Sequence, residues 1–334
     1  MGDLAKGKIL VTGGAGFIGS ALIWALNSRG IDNILVADRL ATDEKWRNLS
    51  PLRFDDYLAG DDLLDAVRSE SPTLNDIRWV FHLGACTSTT ERDLGFLMNN
   101  NYAYTRLLCE WSIRRAVRFI YASSAATYGD GSQGMDDSEA KINRLRPLNA
   151  YGFSKQLFDL YAQRRGYLGQ IVGLKYFNVF GPNEAHKAEM RSLVSKAFDQ
   201  LQKTGKIQLF KSYKPEFRDG EQKRDFLYVK DAVDMTIHLG ARPGTAGLFN
   251  LGSGQARSWI DLATAVFSAL RKKPEIEFIE MPEVLRGKYQ YFTQANIARL
   301  LATGYKGPRY SLEAAVADYV QNYLAPDKNL EPSE

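Results

Sequence analysis

One stretch constrains this chain more than any other: two β-branched runs, KILVT at 8–12 and NILVAD at 33–38, with a glycine cluster, GGAGFIGS, at 13–20 between them. Gly13, Gly14, Gly16 and Gly19 stand where the first strand ends and a helix over 16–29 begins. Glycines there permit a tight turn and close packing of helix against strand. Two strands joined by such a crossover lie parallel, and the crossover is right-handed. A parallel sheet needs both faces covered, so more strands and helices must follow.

They do. WVFHLGA (79–85), RFIYASS (118–124) and IVGLKYF (171–177) read as further strands, with helix-like segments near 61–70, 92–116 and 150–166. The expected class is α/β, with a Rossmann-like doubly wound parallel sheet. After 177 the rhythm loosens. FGPNEAHKAEM and FKSYKPEFRDGEQKR are polar, Gly/Pro-marked and longer than ordinary connections, as binding loops are. FLYV, LFNLGS and IEFIE read as strands, and 230–241, 258–271 and 311–324 as helices. The predicted organisation is a nucleotide-binding domain over 1–177 and a smaller, mainly substrate-binding α/β domain over 178–330. Segments such as 226–255 are free to return to the first domain. A chain of 334 residues is long enough for both.

Composition narrows the function classes. The chain is 45% apolar and 25% charged with a net charge of +4, and its basic residues are scattered among acids, so no nucleic-acid partner is expected. No apolar run approaches the ~18 residues of a membrane span. The chain runs from MGDLAKGK straight into a strand, so no signal peptide is expected. Cys86 and Cys109 form no CxxC pair, which fits reduced thiols in a cytoplasmic protein. His82, His186 and His238 are isolated and show no metal-ligand spacing, so no metal site is expected.

The glycine turn also carries chemistry. Backbone amides at the positive end of a helix suit a pyrophosphate, and Asp38 closes the next strand about 20 residues on. An acid there accepts from the adenosine ribose hydroxyls, which points to NAD. Arg39 follows at once and Lys45 lies in the next loop; cations there suit the 2′-phosphate of NADP. Both readings stand at this level. In HLGACTSTT (82–90), small residues at a strand end let a dinucleotide pass close to the backbone. YASSAATYG (121–129) ends another strand, and Tyr151 and Lys155 of YGFSK share one face of the following helix. A phenol there can take and return a proton while a hydride moves. Tyrosine titrates near ~10, so reaching ~7 needs about 4 kcal/mol. A neighbouring ammonium and an oxidised nicotinamide both favour the phenolate. Ser124 is placed to hydrogen-bond the reacting oxygen.

TGGAGFIG, the serine ahead of a strand-end YG, and YxxxK together resemble the extended short-chain dehydrogenase/reductase superfamily of nucleotide-sugar enzymes. HLGACTSTTE, NNNY, YASSAATYG, LNAYGFSK, KYFNVFGPNEAHK, KRDFLYVKD, FNLGSG and GKYQYFTQ extend the resemblance over nearly the whole chain, to the ADP-L-glycero-D-manno-heptose 6-epimerase family. That resemblance implies oxidation and re-reduction at C6 of an ADP-linked heptose used in lipopolysaccharide cores, with bound NADP (NAD as the alternative) in a cytoplasmic homo-oligomer, a pentamer. Carried over, Gly13, Gly16, Phe17, Ile18, Gly19, Asp38, Arg39 and Lys45 hold the adenosine and phosphates. Leu83, Gly84, Ala85, Cys86, Thr87, Asn100 and Val179 line the cofactor path. Tyr151 is one acid/base, Lys187 a second that also borders the cofactor, and Lys155 holds the nicotinamide ribose. Asn178, Glu189, Lys196, Phe210, Lys211, Ser212, Tyr213, Arg224 and Tyr289 match substrate positions. Glu189 departs from the family, which often has serine there; an acid beside a diphosphate must point away or meet a sugar hydroxyl. The DGEQ segment before Lys223 also blurs the register of that loop.

Three other functions compete. A 4,6-dehydratase needs an acid pair directly after the strand-end hydroxyl, where this chain has Ala125 and Ala126. A UDP-glucose 4-epimerase uses the same serine, tyrosine and lysine. A non-catalytic dinucleotide sensor would have no use for those three residues together.

Overall fold

A computed structural model describes residues 4–287 and 289–332; Lys288 of the GKYQYFTQ stretch lies outside them. The strands are β1 Lys8–Thr12, β2 Ile34–Asp38, β3 Asp56–Ala59, β4 Ile77–His82, β5 Arg118–Ser124, β6 Val172–Tyr176, β7 Asn178–Phe180, β8 Ile207–Phe210, β9 Lys223–Tyr228, β10 Gly247–Leu251, β11 Ala256–Ser258 and β12 Ile276–Ile279. The longer helices are α1 Phe17–Asn27, α2 Gly60–Arg68, α3 Tyr104–Arg114, α4 Ala150–Arg164, α5 Leu193–Thr204, α6 Val229–Ala241, α7 Trp259–Ala269 and α8 Leu312–Tyr319.

Seven strands form one sheet in the order β10-β6-β5-β4-β1-β2-β3, parallel throughout. Side chains alternate across a strand, so each strand feeds two cores. Ile9, Val11, Ile34 and Val36 face the layer that holds α1 and α6. Leu10, Leu35 and Ala37 face the layer of α2, α3 and α4. From β1 the chain runs outward to β2 and β3, then returns to β4 on the other side of β1. The strand order reverses there, opening a crevice beyond the carboxyl ends of β1 and β4.

Two features differ from the expectation, and a third is the return to the first domain that it left open for 226–255. The short edge strand β3 lacks a β-branched run; it pairs with β2, and Tyr57 and Leu58 pack on the two cores. The helix expected over 92–116 is broken by a wide turn at Met98–Ala103 between Leu94–Leu97 and α3. The chain after 177 also does not stay apart: β10 pairs with β6 and α6 packs on α1. Small sheets β11-β9-β7 and β12-β8 make up the rest of the strand structure. Among the described residues no helix is long and apolar enough to cross a membrane.

Asp225 in β9 joins these parts. Its buried carboxylate accepts from Ser253 N and Oγ (2.6 and 2.8 Å), Gly254 N (2.9 Å) and Ala295 N (2.9 Å). Asp225→Ala should cost about 3 kcal/mol, because several buried donors lose their acceptor at once. Denaturant unfolding of the two proteins side by side measures it, and equal midpoints would remove Asp225 from this role.

Candidate active site

The crevice opens into a cavity of about 690 Å³. Its floor is the glycine turn. Gly13 has φ +68°, and a Cβ there would lie 2.6 Å from Gly84 Cα. A Cβ on Gly19 would lie 2.0 Å from Gly13 O. The two loops touch backbone to backbone, leaving the amino end of α1 open to a ligand with no side-chain cap at Gly16. Phe17, Ile18, Leu83, Ala85 and Thr87 complete this part of the wall.

A line of buried hydrogen bonds holds the second loop in place. Thr12 Oγ1 accepts from Gly84 N (3.2 Å), leaving its own hydrogen for His82 Nδ1 (2.7 Å). That puts the imidazole N–H on Nε2, facing Thr105 Oγ1 at 2.8 Å, and Thr105 donates to Asn101 O at 2.5 Å. The Asn101 side chain accepts from Cys86 N (2.9 Å) and donates to Cys86 O and to Ser154 Oγ on α4 (each 3.0 Å). Asn101 sits in the wide turn that interrupts the helix, as such turns often do at sites. It was missed in the sequence, where its neighbour Asn100 was named. Asn100 instead accepts from Arg39 Nη1 at 2.9 Å, beside the cavity.

At the end of the cavity beside β2, the Asp38 carboxylate accepts from Ala15 N (2.9 Å), Arg39 N (2.7 Å) and Lys45 Nζ (3.0 Å). Lys45 also donates to Arg39 O, and Arg39 Nη2 donates to Asp61 at 2.6 Å. Asp43 also pairs with Lys45, at 3.4 Å, so two cations and three acids share this corner.

Ser124, Tyr151 and Lys155 line the same cavity. Asn149 caps α4 by accepting from Gly152 N at 2.8 Å, which sets the turn that carries Tyr151. Lys155 Nζ donates to Ala122 O at 2.9 Å. Burial lowers the Lys155 ammonium to about 8, with Asp159 acting the other way. Burial raises the Tyr151 phenol, opposed by a hydrogen bond with Ser124. The sequence argument looked to Lys155 and an oxidised nicotinamide to depress Tyr151; in the protein alone desolvation is the largest influence, and the Ser124 hydrogen bond is what opposes it.

Lys187 reaches the cavity from the turn Ala185–Met190, its ammonium 5.3 Å from the Phe17 ring. Burial lowers its pKa, with Glu184 opposing. Glu184 is fully buried and anchors the turn by accepting from Ser192 N and Oγ (each 2.6 Å). Asn48 ties the turn to the glycine loop, donating to Ala15 O (2.9 Å), Asn183 O (3.1 Å) and His186 Nδ1 (3.2 Å). Neither Glu184 nor Asn48 had a sequence signal, since both act through folded loops. Asn178 and Val179 line the cavity beside Lys187, as does Trp259, also missed.

The remaining substrate candidates stand apart from this cavity. Glu189 points to solvent and pairs with Lys196 at 3.5 Å, which answers the question its sequence position raised. Lys211 and Tyr213 both bind Glu280, and Ser212 N donates to Asp219 at 2.7 Å. Phe210 closes the β8 edge. Arg224 is 5% exposed, its guanidinium 4.9 Å from the Tyr289 ring and 5.6 Å from Trp259. Tyr289 accepts from Trp259 Nε1 at 2.7 Å, which links this cluster to the cavity wall.

A crevice at the strand-order reversal, a glycine floor and Ser124, Tyr151 and Lys155 on one wall are the features of a dinucleotide-binding enzyme fold. The model of the NAD dependent epimerase/dehydratase family matches residues 9–252, and the chain belongs to that family. It is 53% identical over 317 residues to an ADP-L-glycero-D-manno-heptose-6-epimerase of Nitratidesulfovibrio vulgaris strain DP4, covering 95% of this chain and 98% of the relative. The Helicobacter pylori ADP-L-glycero-D-manno-heptose-6-epimerase structure matches with a TM-score of 0.79 and 27% identity, over 96% of this chain and 97% of that one. Thermus thermophilus UDP-glucose 4-epimerase, solved in complex with NAD, matches at 0.73 and 25% identity, over 94% and 98%.

The buried histidines make stability pH-dependent. Burial pushes His82 down to about 3 and His186 down to about 4. The unfolded chain binds more protons below the ordinary value of ~6.5, so stability is full above it and is lost as pH falls towards the folded values. The slope should reach about 1.4 kcal/mol per pH unit per group. His82→Gln should flatten it; denaturant midpoints between pH 7 and 4 with an unchanged slope would contradict this.

Proposed function

We propose that this protein is an ADP-glyceromanno-heptose 6-epimerase. It interconverts ADP-D-glycero-D-manno-heptose and ADP-L-glycero-D-manno-heptose, for the heptose of lipopolysaccharide cores. One observation carries the reading: two groups able to handle protons, Tyr151 and Lys187, face one cavity from separate elements, with Ser124 and Lys155 beside the first.

The glycine floor suits a dinucleotide, since any larger residue at Gly13 or Gly19 would fill the space its backbone approach requires. A bound nicotinamide would supply the hydride acceptor and donor for the carbon that is inverted, C6. Tyr151 takes the hydroxyl proton of one epimer while Ser124 hydrogen-bonds the reacting oxygen. Lys155 holds the nicotinamide ribose, and its ammonium favours the phenolate as charge develops. Lys187 serves the oxygen in its other orientation, returning or taking the proton there. Its lowered pKa supports that role, because a neutral amine becomes accessible nearer neutral pH. Arg224, Tyr289 and Asn178 are assigned to the substrate, the buried guanidinium suiting its diphosphate.

The cofactor in this reading is NADP. Asp38 already accepts three hydrogen bonds, one from Lys45, which supports a corner that meets a phosphate with cations rather than a ribose with a free carboxylate. The reading also places the enzyme in the cytoplasm as a homo-oligomer, a pentamer.

Substrate deuterated at C6 should keep its label in the inverted product, and Tyr151→Phe and Lys187→Met should each lower kcat by ~10²–10⁴ with nucleotide still bound. Loss of the label to solvent would reject the oxidation route. A raised KM with kcat intact for Lys187→Met would reduce that residue to a binding contact.

Arg39→Ala should weaken NADP about tenfold or more while leaving NAD binding nearly unchanged, since one charge-assisted contact is removed. Equal losses for both nucleotides, measured by titration of stripped protein, would return Asp38 to an NAD role.

A further inference from the structure

Directly beneath the cavity, one turn along α4 from Lys155, lies an ion pair that the proposed chemistry does not use. Asp159 is 0% exposed and Lys175 of β6 is 1% exposed, and Lys175 Nζ stands 2.7 Å from Asp159 Oδ2. The pair is fully satisfied. Asp159 also accepts from Tyr121 OH and Ser123 Oγ of β5, each at 2.8 Å. Lys175 donates a second hydrogen bond to Thr127 Oγ1 at 2.8 Å, and Thr127 donates to Ser124 O at 2.7 Å. The partners therefore bracket the site: Ser123 lies between Ala122, whose carbonyl receives Lys155, and Ser124.

Burying two opposite charges is costly, and apolar residues of similar size often do as well for stability. Stability alone is thus a weak reason for such a pair. We propose that Asp159, locked by Lys175, is a positioning residue for the reaction: it holds α4 on β5 and keeps a negative charge under the Lys155 ammonium.

The electrostatics at Lys155 agree with the geometry. The titratable groups around Lys155 are Asp159 on its own helix with Lys175 of β6 paired behind it, Cys86 from the loop after β4, and His82 at the end of β4, with Tyr151 one turn earlier on α4. Burial works against the charged amine, and Asp159 is the first of the groups that support it. His82 is neutral near pH 7 and offers no competing charge. With Asp159 in place, Lys155 carries its proton up to about pH 8. Without it, the amine loses the proton at lower pH, and with it the field that favours the Tyr151 phenolate.

The inference rests on the role given to Lys155 in the proposed reaction, so its test includes a measurement independent of turnover. Asp159→Asn alone leaves Lys175 buried without a countercharge and risks unfolding. The double variant Asp159→Asn/Lys175→Met removes both charges at similar volume and keeps the comparison in a folded protein. Lys155 of the purified holoenzyme is labelled with acetic anhydride across pH 6–10, and its modification is followed by peptide mass spectrometry. In the double variant, labelling at pH 7 should rise about three- to tenfold relative to pH 10, because the amine is neutral at lower pH. The alkaline limb of the pH–rate profile should move down with it. Folded double variant with an unchanged Lys155 labelling curve overturns the inference. A shifted labelling curve with an unmoved pH–rate profile upholds Asp159 as the tuning partner, and removes Lys155 protonation from the catalytic step instead.

Discussion

The crevice depends on a neutral imidazole. His82 ends β4 beside Thr12, which ends β1, at the place where the strand order reverses. Each group in the line from Gly84 N to Asn101 O gives one hydrogen and takes one, and the pattern closes only with His82 uncharged. A second proton on the ring would set two donors against each other, in a place where water cannot relieve them. Burial removes that option at neutral pH. The result is a close contact between the glycine turn and the loop after β4, tight enough that a Cβ on Gly13 would lie 2.6 Å from Gly84 Cα.

The loops around the cavity share a second device. Each is held by one buried carboxylate that gathers several donors. Glu184 draws Ser192 to the turn of Lys187, Asp225 gathers Ser253, Gly254 and Ala295, and Asp159 gathers Tyr121, Ser123 and Lys175. A carboxylate has about four acceptor positions, so one residue can fix two or three separate segments. Loops carrying site residues need such anchors because they lack the ladders that hold strands.

Burial then sets the protonation of the site in opposite senses. It holds Tyr151 as a phenol and makes Lys155 and Lys187 weaker bases for protons. All three shifts favour the neutral forms, although Lys155, at about 8, still carries its proton near pH 7.

What the sequence determined by itself was whatever depends on local spacing. Short β-branched and apolar runs located β1, β2, β4, β5 and β6, and the glycines after KILVT located the turn, because backbone freedom is a property of the residue alone. Tyr151 and Lys155 were legible together because a helix puts residues four apart on one face. Only the tertiary structure decided the rest. Lys187 approaches the cavity through a turn fixed by a buried acid, Asn101 rather than Asn100 faces Ser154, and Glu189 turns to Lys196 and solvent. β10 joins the first sheet across some seventy residues of intervening chain, from 176 to 247. The direction of the Tyr151 shift was also beyond the sequence, since desolvation is set by everything packed around a group and not by the neighbour four residues away.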